Sequence, residues 1–209
     1  MQDPVARLNK QANLATLQQA AAEGHLKLKY LDESGFDCWS AVSYSWFRLG
    51  QQKRQEQTPR RGRRVNVIGI LEPGQQMEYG LVVGSITSAR YIKLMDWQAT
   101  QAARWLQRTG MITVIAQDNA PIHTSRAVRD RIAIWQSQGL YLFHFPKYCS
   151  EMNEIECEWR RVKSDEIRGQ MFEDECDLAT AVIEAMRRRG ERAGYRAKRF
   201  GFKSKRIIE

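Results

Sequence analysis

Two short apolar runs in this chain each lead into an acid: Leu26 to Leu31 ends on Asp32, and Met111 to Ala116 runs through Gln117 to Asp118. Runs of this length bounded by polar and turn residues read as strands. A third acid, Glu156, opens an amphipathic stretch of helical spacing. Strand ends and a helix start can converge on one point, so the pattern implies a sheet that delivers three carboxylates together.

Along the chain, residues 5 to 23 are rich in Ala, Gln and Leu and read as one helix stopped by Gly24, a connector over residues 1–24. Strands follow at Leu26–Leu31, Val65–Leu71 and Tyr79–Val83, with turn signals at Glu72-Pro-Gly74 and Gly84-Ser85. Between the first two, Trp39 to Arg48 reads as an extra hairpin or an irregular insertion. A helix over residues 89 to 108 ends at Gly110, and Met111–Ala116 is a fourth strand. Residues 125 to 138 form a helix stopped by Gly139, Leu140–Phe145 a fifth strand, and residues 151 to 169 and 175 to 189 two further helices. Ile155, Trp159 and Val162 share a helix face, which makes Trp159 a core anchor and turns Glu156 off the buried stripe. Strands first, then strands alternating with helices, imply an α/β fold with a mixed central sheet of about five strands flanked by helices, over residues 25–190. Residues 191–209 read as a basic C-terminal tail.

The charge balance points to a polyanion. The 209 residues carry 33 Lys and Arg against 24 Asp and Glu, a net charge of +9. From Arg187 to Arg206 there are ten basic residues and one acidic residue, and a second run spans Arg60, Arg61, Arg63 and Arg64. Basic groups neutralise phosphates and aromatic faces stack on bases, so Tyr195, Phe200 and Phe202 within the C-terminal run favour nucleic acid over an acidic metabolite. The four cysteines lack metal-ligand spacing and there are only three histidines, so they read as reduced thiols rather than a zinc site. No segment resembles a signal peptide or a membrane span, which implies a cytoplasmic protein.

Three carboxylates beside a polyanion suit one chemistry in particular. In-line displacement at a phosphodiester needs an activated attacking oxygen and a stabilised leaving oxygen, and divalent ions serve both ends. Mg²⁺ prefers carboxylate oxygen and water and needs few protein ligands alongside phosphate.

The motifs narrow the reading. Gln117-Asp-Asn-Ala-Pro-Ile-His-Thr-Ser125 and Phe145-Pro-Lys-Tyr-Cys-Ser-Glu-Met-Asn-Glu-Ile-Glu156, followed by Trp159 and Lys163, resemble the second and third catalytic blocks of the Tc/mariner superfamily of DDE transposases. Asp32-Glu-Ser-Gly-Phe36, with Trp46 beyond it, resembles the first block of the bacterial insertion-sequence 630 branch. The third block departs from the family at Ser150 and Glu154, where prolines are usual, and 37 residues separate Asp118 from Glu156. The resemblance implies a ribonuclease H-like fold, with Asp32, Asp118 and Glu156 as catalytic metal ligands for Mg²⁺ or Mn²⁺. It implies cleavage at a transposon end and strand transfer into a target TA step, with double-stranded DNA and a second copy of the chain as partners. About 31 residues precede Asp32, too few for the family's helix-turn-helix module, so end recognition would come from a separate polypeptide or a fused upstream frame. Arg60, Arg61, Arg63, Arg64, Arg196, Lys198, Arg199 and Lys203 are the expected DNA contacts. Asn119 and His123 would support the site from behind, His123 steadying the loop or contacting DNA.

Glu33 adjoins Asp32 but points to the other strand face, so it reads as solvated or supporting rather than a ligand. Asp37 lies past the strand end, and Glu151 and Glu158 read as surface charges. Two other classes share part of the pattern. A junction resolvase would use the same metal chemistry on branched DNA without strand transfer, and a non-catalytic remnant of a transposase would bind DNA with or without Mg²⁺.

Overall fold

A computed structural model describes residues 4–39, 49, 62–146 and 149–202. Six strands form one mixed sheet: β1 Lys27–Phe36, β2 Val65–Glu72, β3 Gln76–Val83, β4 Thr113–Gln117, β5 Leu140–His144 and β6 Arg196–Phe200. Their order across the sheet is β5-β4-β1-β2-β3-β6. β2 runs antiparallel to β1 and β3, while β4 and β5 continue parallel to β1 and β6 runs parallel to β3. The helices are α1 Pro4–Ala22, α2 Ser88–Thr109, α3 Arg126–Ser137, α4 Glu154–Arg161 and α5 Glu175–Ala193.

The alternation of each strand sorts its side chains into two cores. On one face Leu28, Tyr30, Val65, Val67 and Met77 pack with Ile155, Trp159 and Val162, and with Leu178 and Val182 of α5. On the other Leu31, Ile68, Ile70 and Ile115 pack with Tyr91, Leu94 and Met95 of α2 and with Trp135 of α3. Burial of each large apolar side chain stabilises by about 1.5–3 kcal/mol, so the two faces hold the helices in place. One buried polar cluster crosses the second core. Lys29 Nζ of β1 donates to Glu78 of β3 at 3.0 Å and to Gln98 of α2 at 2.9 Å, and Gln98 donates to Glu78 at 2.6 Å. The caps of α2 are the ones its sequence specifies. Thr87 accepts from the Arg90 N–H, and Gly110 takes the left-handed conformation, φ 75°, that ends the helix.

Three expectations change. The sheet has six strands, because Arg196–Phe200, expected in a basic tail, pairs with β3 from Gln76↔Arg196 to Gly80↔Phe200. The aromatic residues of that run are spent on packing rather than left for bases. Tyr195 is buried, Phe200 lies 5.0 Å from Trp97, and Phe202 covers Gly80. The helix expected over 151 to 169 is divided into a 3₁₀ turn at Ser150–Met152, α4, and a π-helical turn at Val162–Ile167. Glu158 is not a surface charge: it is buried, and it accepts from Arg189 Nε at 2.7 Å, Arg161 at 2.7 Å and the Tyr195 hydroxyl at 3.1 Å. Glu151 does lie exposed, paired with Arg7 at 2.7 Å. The segment from Ser40 to Arg48, and Arg60, Arg61 and Lys203, fall outside the described residues.

Among the described residues no helix is long and apolar enough to cross a membrane. All four cysteines are described, and none forms a disulfide.

Candidate active site

Parallel pairing brings the first two acids level. β1 and β4 are in register at Tyr30↔Ala116, so Asp32 and Asp118 each lie two residues beyond a paired position, on strands about 4.8 Å apart. Asp32 does not end its strand: β1 continues to Phe36 because its antiparallel partner β2 keeps pairing as far as Val65. Asp118 directly follows the last residue of β4.

The third acid is brought in by α4. Two contacts seat that helix on the sheet. Asn153, the residue before α4, donates its side-chain amide to the Leu31 carbonyl at 3.0 Å, next to Asp32. Trp159 lies over Gly69, which is the β2 partner of Asp32, and a Cβ on Gly69 would stand 2.6 Å from the indole. Only glycine lets the ring come so close. Glu156 is half-buried, off the stripe of Ile155 and Trp159, as its spacing requires.

The electrostatics tie the three together. The carboxyl of Asp32 is pushed up to about 7, first by burial, and further by the negative charges of Glu33, Glu156 and Asp118, against a lowering backbone hydrogen bond. No basic side chain among the described residues forms an ion pair with Asp32 or Glu156. Asp118 differs: a hydrogen bond from His123 holds it below the usual carboxylate range, with burial opposing. Its Oδ1 accepts from His123 Nδ1 at 2.8 Å and from the Ala120 N–H at 3.0 Å. Asn119 Nδ2 donates to the Phe145 carbonyl at 2.5 Å, which ties the same loop to the segment after β5. His123 is buried, tilted against Tyr91 with ring centroids 4.6 Å apart, and its second nitrogen meets Glu33 Oε1 at 2.7 Å. Burial alone would lower the His123 pKa, but the hydrogen bonds to Asp118 and Glu33 prevail and raise it to about 9.

Among the described residues no group of three or more His, Cys, Asp and Glu side chains is gathered closely enough to hold a metal ion. The carboxylates stand as neighbours in charge, with Oδ1 of Asp118 already taken. In donor type they suit a hard divalent cation: oxygen ligands, mutually repelling, with Asp32 and Glu156 in no ion pair among the described residues.

The candidate DNA contacts are spread by the sheet register. Arg63 and Arg64 precede β2 at the end where β1 finishes, with Arg63 Nε 3.1 Å from Glu175 and Arg64 4.0 Å from Asp37. Arg199 pairs with Tyr79, on the row Asp32–Gly69–Tyr79–Arg199, three strands away. Lys198 lies over Trp97 at 4.8 Å, and Arg196 pairs with Gln76 at the far end. Three residues that shape the site carry little signal in the sequence. Asn153 and Gly69 position α4, and Lys163 lies near enough that the Asp32 charge acts on it, although burial lowers its pKa. Asn153 could have been found as a helix N-cap residue inside the third block and Lys163 as a residue of the pattern that follows it, but nothing local marks Gly69.

The fold has relatives of known structure. The chain is similar to the Mos1 strand transfer complex at 18% identity and a TM-score of 0.61, covering 86% of this chain and 52% of that one. It is similar to the Mos1 mariner paired end complex with Mn at 16% identity and 0.58, covering 92% and 62%. With the catalytic domain of Mos1 mariner transposase it shares 12% identity and a TM-score of 0.55, covering 93% and 94%. The chain thus spans about half the length of the protein in the strand transfer complex and nearly all of the isolated catalytic domain. No curated protein matches it in sequence. A model of the DDE superfamily endonucleases matches residues 27–179, from the start of β1 into α5 and across all three acids, and the chain belongs to that family.

Proposed function

We propose that this chain is a transposase catalytic domain of the insertion-sequence 630 branch that cleaves DNA and transfers the freed strand to a target. The observation that carries the proposal is the state of Asp32: a half-buried carboxyl raised to about 7 under the charges of Glu156 and Asp118, on a fold similar to the Mos1 catalytic domain. Repulsion of this kind is costly without a cation and is offset by one.

Asp32, Asp118 and Glu156 are the residues that would hold Mg²⁺ or Mn²⁺. Such ions, when bound, lower the pKa of the attacking water and stabilise the charge on the leaving oxygen. The chain itself supplies placement. β1 and β4 hold Asp32 and Asp118 level, α4 carries Glu156 to them, and His123 fixes one oxygen of Asp118 while the other accepts no hydrogen bond from the described residues. In the reaction water attacks phosphorus and the bond to the 3′ oxygen breaks. The resulting 3′-hydroxyl then attacks a target phosphorus, the bond from that phosphorus to the target's own 3′ oxygen breaks, and that oxygen leaves as a hydroxyl. Arg63, Arg64 and Arg199 are exposed and would neutralise backbone phosphates. A second copy of the chain would pair the two transposon ends.

The test is Mn²⁺-dependent nicking of supercoiled plasmid by the purified chain and by Asp118→Ala. Nicking that the substitution abolishes supports the proposal. DNA binding that is equal with and without Mn²⁺, with no nicking, favours a non-catalytic DNA-binding role.

A further inference from the structure

We propose that Glu33 is a positioning residue for Asp118, acting through His123. The inference rests on the metal-site reading above and assigns a role to an acid that the family's three-carboxylate pattern leaves unused.

The geometry is a chain of three side chains from two segments. Glu33 Oε1 stands 2.7 Å from His123 Nε2, and His123 Nδ1 stands 2.8 Å from Asp118 Oδ1. Each ring nitrogen stands within hydrogen-bond distance of a carboxylate oxygen, so the ring is held at both ends. The imidazole has no other freedom: its side chain is fully buried and lies against Tyr91, whose hydroxyl donates to Gln117 at 2.8 Å. Glu33 is placed for this by strand alternation. It lies on the face of β1 opposite Asp32, with Leu31 and the core that contains Tyr91. Its 23% exposure against 53% for Asp118 shows which end of the chain faces outward.

The consequence is a division of labour on Asp118. Two donors, His123 and the Ala120 N–H, converge on Oδ1, so the carboxylate is held in one rotamer with Oδ2 turned away from them. Groups that orient a ligand from behind in this way are worth about 10- to 100-fold in metal affinity. Glu33 itself is spent on His123 and contributes no ligand.

The experiment compares Glu33→Leu, of similar volume but without an acceptor, Glu33→Gln, His123→Ala and the Glu33→Leu/His123→Ala pair. Each is checked for a cooperative melt, and Glu33→Ala replaces Glu33→Leu where the latter does not fold. Calorimetric Mn²⁺ titration of the full chain is expected to weaken by about 10- to 100-fold in Glu33→Leu. Glu33→Gln, whose amide oxygen accepts from the same nitrogen, should recover most of that loss. In the His123→Ala background Glu33→Leu should add nothing. Wild-type affinity in Glu33→Leu, or losses that multiply in the pair, would overturn the proposal. A crystal structure of Glu33→Leu separates this failure from that of the metal site. The proposal requires His123 Nδ1 to move beyond hydrogen-bond range of Asp118, over about 3.5 Å, whether or not wild type binds Mn²⁺, and an unmoved pair overturns it.

Discussion

Trp159 lies on Gly69, the residue that pairs with Asp32 across β1 and β2, at a distance where a single added carbon would be 2.6 Å from the indole. The contact links the core to the site. Trp159 is buried with Ile155 and Val162, and Glu156 rides on the same helix three residues earlier. How close α4 sits to β2 therefore sets how close Glu156 comes to Asp32.

Gly69→Ala tests this coupling. The added methyl overpacks a strand in the middle of the sheet and should destabilise the chain by about 1–3 kcal/mol. Because the strain is relieved by lifting α4, Mn²⁺-dependent nicking should fall by more than the folded fraction does. Denaturant melts alongside nicking rates measure both.

Asn153→Ala removes the other tie. The Leu31 carbonyl loses its donor in a buried position, and such a group left unpaired costs about 1–3 kcal/mol. The expected result is a lower melting midpoint together with weakened Mn²⁺ binding, and Asn153→Asp, which cannot donate, should do no better than alanine.

Much of this arrangement was legible in the sequence. The apolar runs before Asp32 and Asp118 reported two strands, which the fold pairs in parallel, and the spacing of Ile155, Trp159 and Val162 oriented α4. Alternation placed Glu33 opposite Asp32, but nothing local could pair it with His123, 90 residues away. β6 was missed for a related reason: Arg196, Lys198 and Arg199 read as DNA-contacting charge in a basic tail, and only the partner strand β3 makes that segment extended. Glu158 looked like one acid among several on a helix, and its burial depends on Arg189 arriving from α5. Pairings across long sequence separations have no local signature, and each of these differences is one.

Asp32 predicts a specific pH dependence. Its folded pKa, about 7, lies above the ordinary carboxylate value near 4, so the folded state binds the extra proton. The stability associated with that proton is complete below about pH 4 and is lost as pH rises through about 7. Asp32→Asn cannot ionise and should melt higher than wild type at pH 8 in the absence of divalent ions, with the gap closing by pH 4. Added Mn²⁺ should raise the wild-type midpoint and leave that of Asp32→Asn nearly unchanged.

Glu158 has the opposite sign. Burial would raise its pKa, but the hydrogen bond and charge of Arg189 prevail and lower it. Its contribution is present above the ordinary glutamate value near 4.3 and is lost as pH falls through the depressed folded value. Glu158→Gln leaves Arg189 without a counter-charge and should cost about 3–5 kcal/mol at pH 7. In urea melts the deficit should shrink as pH is lowered toward 3.

The central claim is that Asp32, Asp118 and Glu156 act as one unit on DNA, and the direct measurement is plasmid nicking in Mn²⁺ by Asp32→Asn, Asp118→Asn and Glu156→Gln, each confirmed to fold and to bind DNA. The account predicts that every one of the three substitutions abolishes nicking that the wild type performs. Nicking at the wild-type rate by any one of the three would contradict it.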